Sequence, residues 1–157
     1  MPERLEMETG MGEHSNTAKW LGLGNFKQVG IVTRNTDKVL NYYEKTLGIQ
    51  HFDSAIVVAE TDKGKAKLKI SVAQLGGIQF ELIEPVEGKT LHTDFLQQGR
   101  EGLHHLGFYA EDLERKLKAL QSKGVKVLET GTIMGIKYAY LDTATVSGVI
   151  FELIKIG

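Results

Sequence analysis

One short phrase of apolar and acidic positions occurs twice in the chain, as Phe80-Glu81-Leu82-Ile83 and as Phe151-Glu152-Leu153-Ile154. Both runs are brief and β-prone, which predicts two strands. Alternation places Glu152 on one strand face with Ile150 and Ile154, and Val149, Phe151 and Leu153 on the other. Glu81 shares its face with Gln79 and Ile83. A carboxylate on an apolar face is costly to bury unless something pairs with it. The repeated arrangement therefore points to a shared partner for the two glutamates.

The pattern around these phrases repeats as well. Phe26 to Thr33 alternates as a strand, with Phe26, Gln28, Gly30 and Val32 on one face. Asn35, Thr36 and Asp37 are capping residues for a helix through Val39, Leu40, Tyr43 and Leu47, closed by Gly48. Its phase places Tyr43 inward and Tyr42 outward. Strands are predicted over Phe52 to Glu60 and Lys67 to Gln74, with a turn at Thr61-Asp62-Lys63-Gly64, before the first phrase. Residues 85–101 connect, with a short helix expected over Thr93 to Gln98. The order then recurs: a strand at Leu103 to Ala110, a helix through Leu113, Leu117 and Leu120 ending at Gly124, strands at Val125 to Leu128 and Lys137 to Leu141, and the second phrase. Gly131, Gly135 and Gly148 mark turns.

This is an internal repeat of one β-α-β-β-β unit, about 26–85 and 103–156, in an α+β domain spanning 26–157. Gln28-Val29-Gly30 in the first copy matches His105-Leu106-Gly107 in the second. Two copies of one unit pack about a pseudo-two-fold axis, so equivalent positions converge. Residues 1–25, acidic and glycine-broken, are expected to form a poorly ordered leader in which His14 is solvated and Trp20 is free to dock.

Composition narrows the chemistry. At 157 residues with 41% hydrophobic and 25% charged residues, the chain suits one soluble domain. A net charge of −1 gives no basic field for nucleic acid, and no apolar run reaches the length of a membrane span. There is no cysteine, which excludes disulfides, thiolate metal sites and cysteine nucleophiles and fits a cytoplasmic enzyme.

The convergent positions are Gln28, Glu81, His105 and Glu152, one from the first and one from the last strand of each copy. One imidazole, one amide oxygen and two carboxylates, without sulfur, suit a single divalent ion such as Mn, Co, Ni, Zn, Fe or Mg. Four protein donors leave octahedral positions open to water or substrate. Strand alternation turns His104 to the opposite face as a packing or structural residue, and His51 and His92 are expected at the surface. Tyr138 and Tyr140 share a face and either line the site or pack. Lys63, Lys65, Lys67 and Lys69 form a basic run, read either as a solvated strand edge or as a grip for coenzyme A phosphates. Gln97, Gln98 and Arg100 are weaker candidates for contact with an acidic substrate group.

Over Phe26 to Ile156 the sequence resembles the vicinal oxygen chelate superfamily, which includes glyoxalases and bleomycin-resistance proteins. The textual resemblance is to methylmalonyl-CoA epimerases, in Glu81-Leu82-Ile83-Glu84-Pro85, in Gly102-Leu103-His104-His105-Leu106-Gly107-Phe108 and in Gly148-Val149-Ile150-Phe151-Glu152-Leu153. The resemblance implies two βαβββ modules forming a cupped mixed sheet with helices on its outer face, a metal in the cup, a homodimer, and His105 as the ligand of the histidine pair. It also implies a divalent-metal-dependent isomerase or lyase, of epimerase or glyoxalase type, acting through a metal-stabilised enolate on an acyl-CoA thioester or another α-oxygenated carbonyl compound. Two departures stand out. Gln28 replaces the histidine usual in the epimerases and resembles the glyoxalase I ligand set. The further catalytic glutamate of the epimerases has no counterpart in Lys63-Gly64-Lys65, where Glu60 and Asp62 are the nearest carboxylates. Glu152, between two isoleucines, is the expected moving base and Glu81 the expected plain ligand, either of which can leave a metal to take a proton. The alternatives within the same fold are a metal-dependent dioxygenase and a metal-free binding or resistance protein.

Overall fold

A computed structural model describes Leu23 and residues 25–157. His14, Trp20 and the rest of the expected leader up to Gly22, with Gly24, lie outside the described residues.

The first repeat comprises strand β1 (Asn25–Val32), helix α1 (Thr36–Asn41, widening into a π-helical turn over Tyr42–Thr46), and strands β2 (Asp53–Thr61), β3 (Gly64–Leu75) and β4 (Ile78–Glu87). Asn35 caps α1 by accepting the Lys38 N–H, as the sequence predicts. Helix α2 (Leu91–Gln97) follows. The second repeat comprises β5 (Gly102–Ala110), α3 (Leu113–Ser122), β6 (Val127–Ile133), β7 (Ile136–Leu141), the one-turn helix α4 (Ala144–Ser147) and β8 (Ile150–Lys155).

All eight strands join in one closed sheet in the order β1-β4-β3-β2-β6-β7-β8-β5. The mixed α+β architecture with two βαβββ modules is as the sequence predicts. The modules meet twice. On one side β1 and β5 run antiparallel along most of their lengths, and on the other β2 and β6 share a seam of only three residue pairs, Ala59–Thr61 against Gly131–Ile133.

Three apolar clusters explain the element positions. Leu82, Phe80 and Ala73 face outward and are covered by Val39, Leu40 and Tyr43 of the α1 region. Leu153, Phe151, Ala139 and Leu141 face outward under Leu113, Leu117 and Leu120 of α3. Full burial of a leucine such as Leu82 or Leu153 contributes about 1.5–3 kcal/mol. The third cluster lies inside the barrel, where Val32, Ala59, Leu68 and Ile83 meet Phe95 and Leu96 of α2. The connector helix thus plugs one end of the barrel, and the polar interior opens toward the other.

The structure corrects two local expectations. Gly131 is not a turn: β6 starts later than predicted and runs through Gly131 to Ile133, the turn falling at Met134 and Gly135. A Cβ on Gly131 would lie 2.4 Å from the Tyr138 hydroxyl, so this glycine makes room for a side chain from the next strand. The connector helix also begins at Leu91, closed by a Thr90–Thr93 capping box.

Candidate metal centre

The inner face of the β1–β5 pair brings the two repeats together. Gln28 stands opposite Gly107 and Gly30 opposite His105. A Cβ on Gly30 would lie 2.0–2.4 Å from three atoms of the His105 ring. A Cβ on Gly107 would lie 2.8 Å from Gln28 Cβ and 2.9 Å from its Oε1. In each repeat, the glycine two residues beyond the candidate donor is the seat for the donor of the other repeat. The sequence motif contained this signal, but pairing register was needed to read it.

Gln28, Glu81, His105 and Glu152 converge as predicted. His105 Nε2 lies 3.0 Å from Gln28 Oε1, 3.2 Å from Glu152 Oε2 and 3.4 Å from Glu81 Oε2. The Gln28 amide is oriented by donating from Nε2 to Gln79 Oε1 at 2.7 Å, which turns its oxygen into the site. Three oxygens crowd one ring nitrogen, which carries at most one proton. Gln28 Oε1 takes the hydrogen bond, and buried Glu152 Oε2 has no hydrogen-bond partner among the described residues. Adjacent donors around an octahedral ion with bonds of about 2.0–2.2 Å stand about 3 Å apart. The donor set and its spacing fit a divalent ion.

Electrostatics report the same crowding. Burial acts to lower the His105 pKa, but the Glu152 and Glu81 carboxylates together outweigh it and push it up to about 9. Burial raises the Glu152 pKa, against the opposing pull of His105. A cation among these groups would relieve both.

Strand alternation fails at His104. The β1–β5 ladder carries a bulge between Gly30 paired with His105 and Ile31 paired with Leu103, which leaves His104 as the extra residue. The bulge brings both imidazoles inside, and His104 Nδ1 lies 2.9 Å from His105 Nδ1. His104 is buried and neutral: burial first, and then the charge of His105, drive its pKa well down. It is placed to accept from His105 Nδ1–H, in the position that a carboxylate, carbonyl or water takes behind other metal-binding imidazoles, and so to orient the ring.

His92 is likewise not at the surface. It leads into the barrel from α2, 1% exposed, and burial followed by the charge of His105 lowers its pKa to about 3. His92, His104 and His105 place ring nitrogens within 4.8 Å of one another, the spacing of a metal-binding cluster. Both nitrogens of His92 are already engaged, Nδ1 with Thr90 Oγ1 at 3.1 Å and Nε2 with Tyr140 Oη at 3.0 Å. The oxygen-rich set around His105 Nε2 is the better-prepared site.

A cavity of about 350 Å³ opens onto Gln28, Glu81, Glu152 and Tyr138, with Val57, Ile70, Val72, Ile133 and Ile136 on its walls and Asp53 and Tyr109 among its lining residues. Tyr138 and Tyr140 are both buried within the barrel, and Tyr42 is exposed as expected. Glu60 pairs with Lys65, and Asp62 accepts from Thr130 N–H, so neither lines the cavity. Lys67 pairs with Glu87 and Lys69 with Asp37, while Lys63 lies 3.6 Å from the buried Glu129. The basic run is not a sheet edge: from Lys65 on it lies along β3, paired with β2 on one side and β4 on the other, and its lysines are taken up in ion pairs. Arg100 lies over the Phe95 ring, and neither it nor Gln97 or Gln98 lines the cavity. No helix among the described residues is long and apolar enough to cross a membrane.

Comparison with known proteins agrees with this architecture. An uncharacterized protein of Bacillus subtilis, YqjC, is 25% identical over 134 residues, covering 83% of this chain and 91% of its own. Among solved structures, a hypothetical protein of Bacillus halodurans aligns with a TM-score of 0.65 at 22% identity, covering 85% of this chain and 94% of its own. A Streptomyces coelicolor methylmalonyl-CoA epimerase in complex with 2-nitronate-propionyl-CoA aligns with a TM-score of 0.63 at 23% identity, over 85% and 97%. The Mycobacterium tuberculosis methylmalonyl-CoA epimerase gives 0.63 at 21% identity, over 85% and 88%. These likenesses establish the shared fold. Residues 27–140, most of the barrel, match the family model of the glyoxalase/bleomycin resistance protein/dioxygenase superfamily, and the chain belongs to that superfamily.

Proposed function

We propose that this protein is a divalent-metal-dependent isomerase or lyase that removes a proton next to a carbonyl group and works through an enolate. The observation that carries the reading is the crowding of three side-chain oxygens around His105 Nε2, drawn from matching places in both repeats. Gln28, Glu81, His105 and Glu152 would hold the ion. A divalent ion there would supply positive charge for two adjacent substrate oxygens and for the negative charge that grows as the α-proton leaves.

The chain's own residues supply the rest. Glu152 takes the proton: it is buried, and burial raises its pKa toward the range useful for a base. Glu81, with Gln79 beside it on the inner face, stays as a fixed donor. His104 accepts from His105 Nδ1 and holds that ring in place. The aliphatic walls of the cavity exclude water from the reacting carbon. Its volume suits the acyl end of a substrate, with any large carrier group outside. The substrate class is an acyl-CoA thioester or another small α-oxygenated carbonyl compound, in keeping with the acyl-CoA analogue held by the Streptomyces coelicolor structure.

Two measurements test this. Metal analysis of protein purified without chelator is expected to find about one divalent ion per chain, lost in Glu81→Gln and Glu152→Gln. Deuterium exchange at the α-carbon of methylmalonyl-CoA and related thioesters is expected with metal and not after chelation. Full exchange by Glu152→Gln with metal bound would remove Glu152 as the base. Exchange that survives complete metal removal would sink the whole reading.

A further inference from the structure

Behind Glu152 lies a row of buried polar side chains that the reading above leaves without a task. Thr90 at the start of α2, His92 on that helix and Tyr140 on β7 are all 2% exposed or less. Thr90 Oγ1 is 3.1 Å from His92 Nδ1, and His92 Nε2 is 3.0 Å from Tyr140 Oη. Tyr140 stands directly across from Glu152 in the β7–β8 ladder.

Proton counting gives this row a direction. Thr90 Oγ1 already accepts the backbone N–H of His92, at 3.2 Å. Its own hydrogen needs an acceptor, and a buried hydroxyl left without one is costly. His92 Nδ1 is that acceptor, so Nδ1 is bare and the ring proton of neutral His92 sits on Nε2. Nε2–H then donates to Tyr140 Oη. Tyr140 receives a bond it cannot return to the same nitrogen, and its hydroxyl hydrogen is free to point across the ladder. Glu152 is the residue across that ladder, and its Oε2, 3.2 Å from His105 Nε2, has no hydrogen-bond partner among the described residues.

We propose that Thr90, His92 and Tyr140 form a one-way hydrogen-bond relay that fixes the orientation of the Glu152 carboxylate, making Tyr140 and His92 positioning residues for the metal centre. The relay also gives α2 a role beyond plugging the barrel, because the connector between the repeats reaches a donor of the second. This inference rests on the metal reading only for its consequence, since the direction of the relay belongs to the metal-free protein.

Nitrogen-15 NMR of the metal-free full chain tests the direction. His92 is expected as the Nε2–H tautomer, with a bare, pyridine-type Nδ1. Thr90→Ser should keep this signature and Thr90→Val should lose it. Mn²⁺ titration tests the consequence. Tyr140→Phe and His92→Phe are each expected to weaken Mn²⁺ binding by about 10- to 100-fold. The double variant should be no weaker than either alone, as members of one unit behave non-additively. An Nδ1–H tautomer, or independent effects that multiply, would overturn the relay. Should the wild-type chain bind no Mn²⁺ while His92 shows the Nε2–H tautomer, the relay stands and the metal reading falls.

Discussion

The two repeats answer each other strand for strand, and the row of inward residues at the level of the site shows how far the likeness goes. In the first repeat, Asp53, Val72 and Glu81 pair across β2, β3 and β4. In the second, Glu129, Tyr140 and Glu152 pair across β6, β7 and β8. Each row ends in a candidate donor and begins with another carboxylate, yet the two rows are built differently. Asp53 is exposed and lines the cavity. Glu129 is wholly buried, its Oε2 accepting from Leu91 N–H with Lys63 3.6 Å away. Between them stands an apolar valine on one side and a hydrogen-bonding tyrosine on the other. The symmetry delivers four donors to one point. Both glutamates line the cavity, but Glu152 is the more buried and has a tyrosine beside it where Glu81 has a valine, the difference on which the proposed division into base and fixed ligand rests.

The strongest way to break the comparison is at the glycine seats. Gly30→Ala would drive a Cβ into the His105 ring, and we expect loss of Mn²⁺ or Co²⁺ binding with a destabilisation of about 1–3 kcal/mol, read by metal titration and urea unfolding. Gly107→Ala meets the more pliable Gln28 and should do less on both counts. The next effect separates the two glutamates. With metal supplied in excess, Glu152→Gln should lower α-proton exchange by roughly 10²- to 10⁴-fold. Glu81→Gln should act mainly through metal affinity and recover at high metal concentration. Equal, unrecoverable losses would erase the distinction between the two glutamates.

Acid tests the polar backing of the second repeat. His92 takes up a proton near 6.5 in the unfolded chain but only near 3 in the fold. The unfolded state therefore binds more protons between these values, and the stability that neutral His92 confers above about 6.5 is lost as the pH falls toward 3. His104, also lowered, acts in the same direction. A loss on the order of 4 kcal/mol by pH 3 is expected for His92, and urea unfolding of His92→Gln across this range should show a flatter slope. The smallest effect belongs to Asp53. As an exposed carboxylate, its replacement by asparagine should shift stability by less than about 0.5 kcal/mol. A large fall in proton exchange in Asp53→Asn would instead give the first repeat an acid–base group of its own.

Much of this was legible in the sequence. The repeat gave the order of elements, and the alternation of Gln28, Glu81 and Glu152 gave their common face. What escaped reading has local physical causes. A bulge changes which face a residue takes and leaves no mark in composition, so strand alternation alone puts His104 on the wrong side of β5. His92 sits on a seven-residue helix whose neighbours Thr93 and Asp94 are polar, and only the closing of the barrel around α2 buries it. A glycine that yields space to Tyr138 looks, in one dimension, like a glycine that bends the chain, which is why the sequence predicts a turn at Gly131.

The paired seats at Gly30 and Gly107 bear on how relatives of this chain can be sorted. Four donor residues retained in an alignment do not by themselves preserve a site, because each ring or amide needs the hollow left by a missing side chain on the facing strand. A relative with Gln, Glu, His and Glu in place but alanine or a larger residue at the position of Gly30 would have kept the donors and filled the space they stand in. Gly30, and to a lesser degree Gly107, is expected to tell a binding centre from its remnant where the donors alone would not.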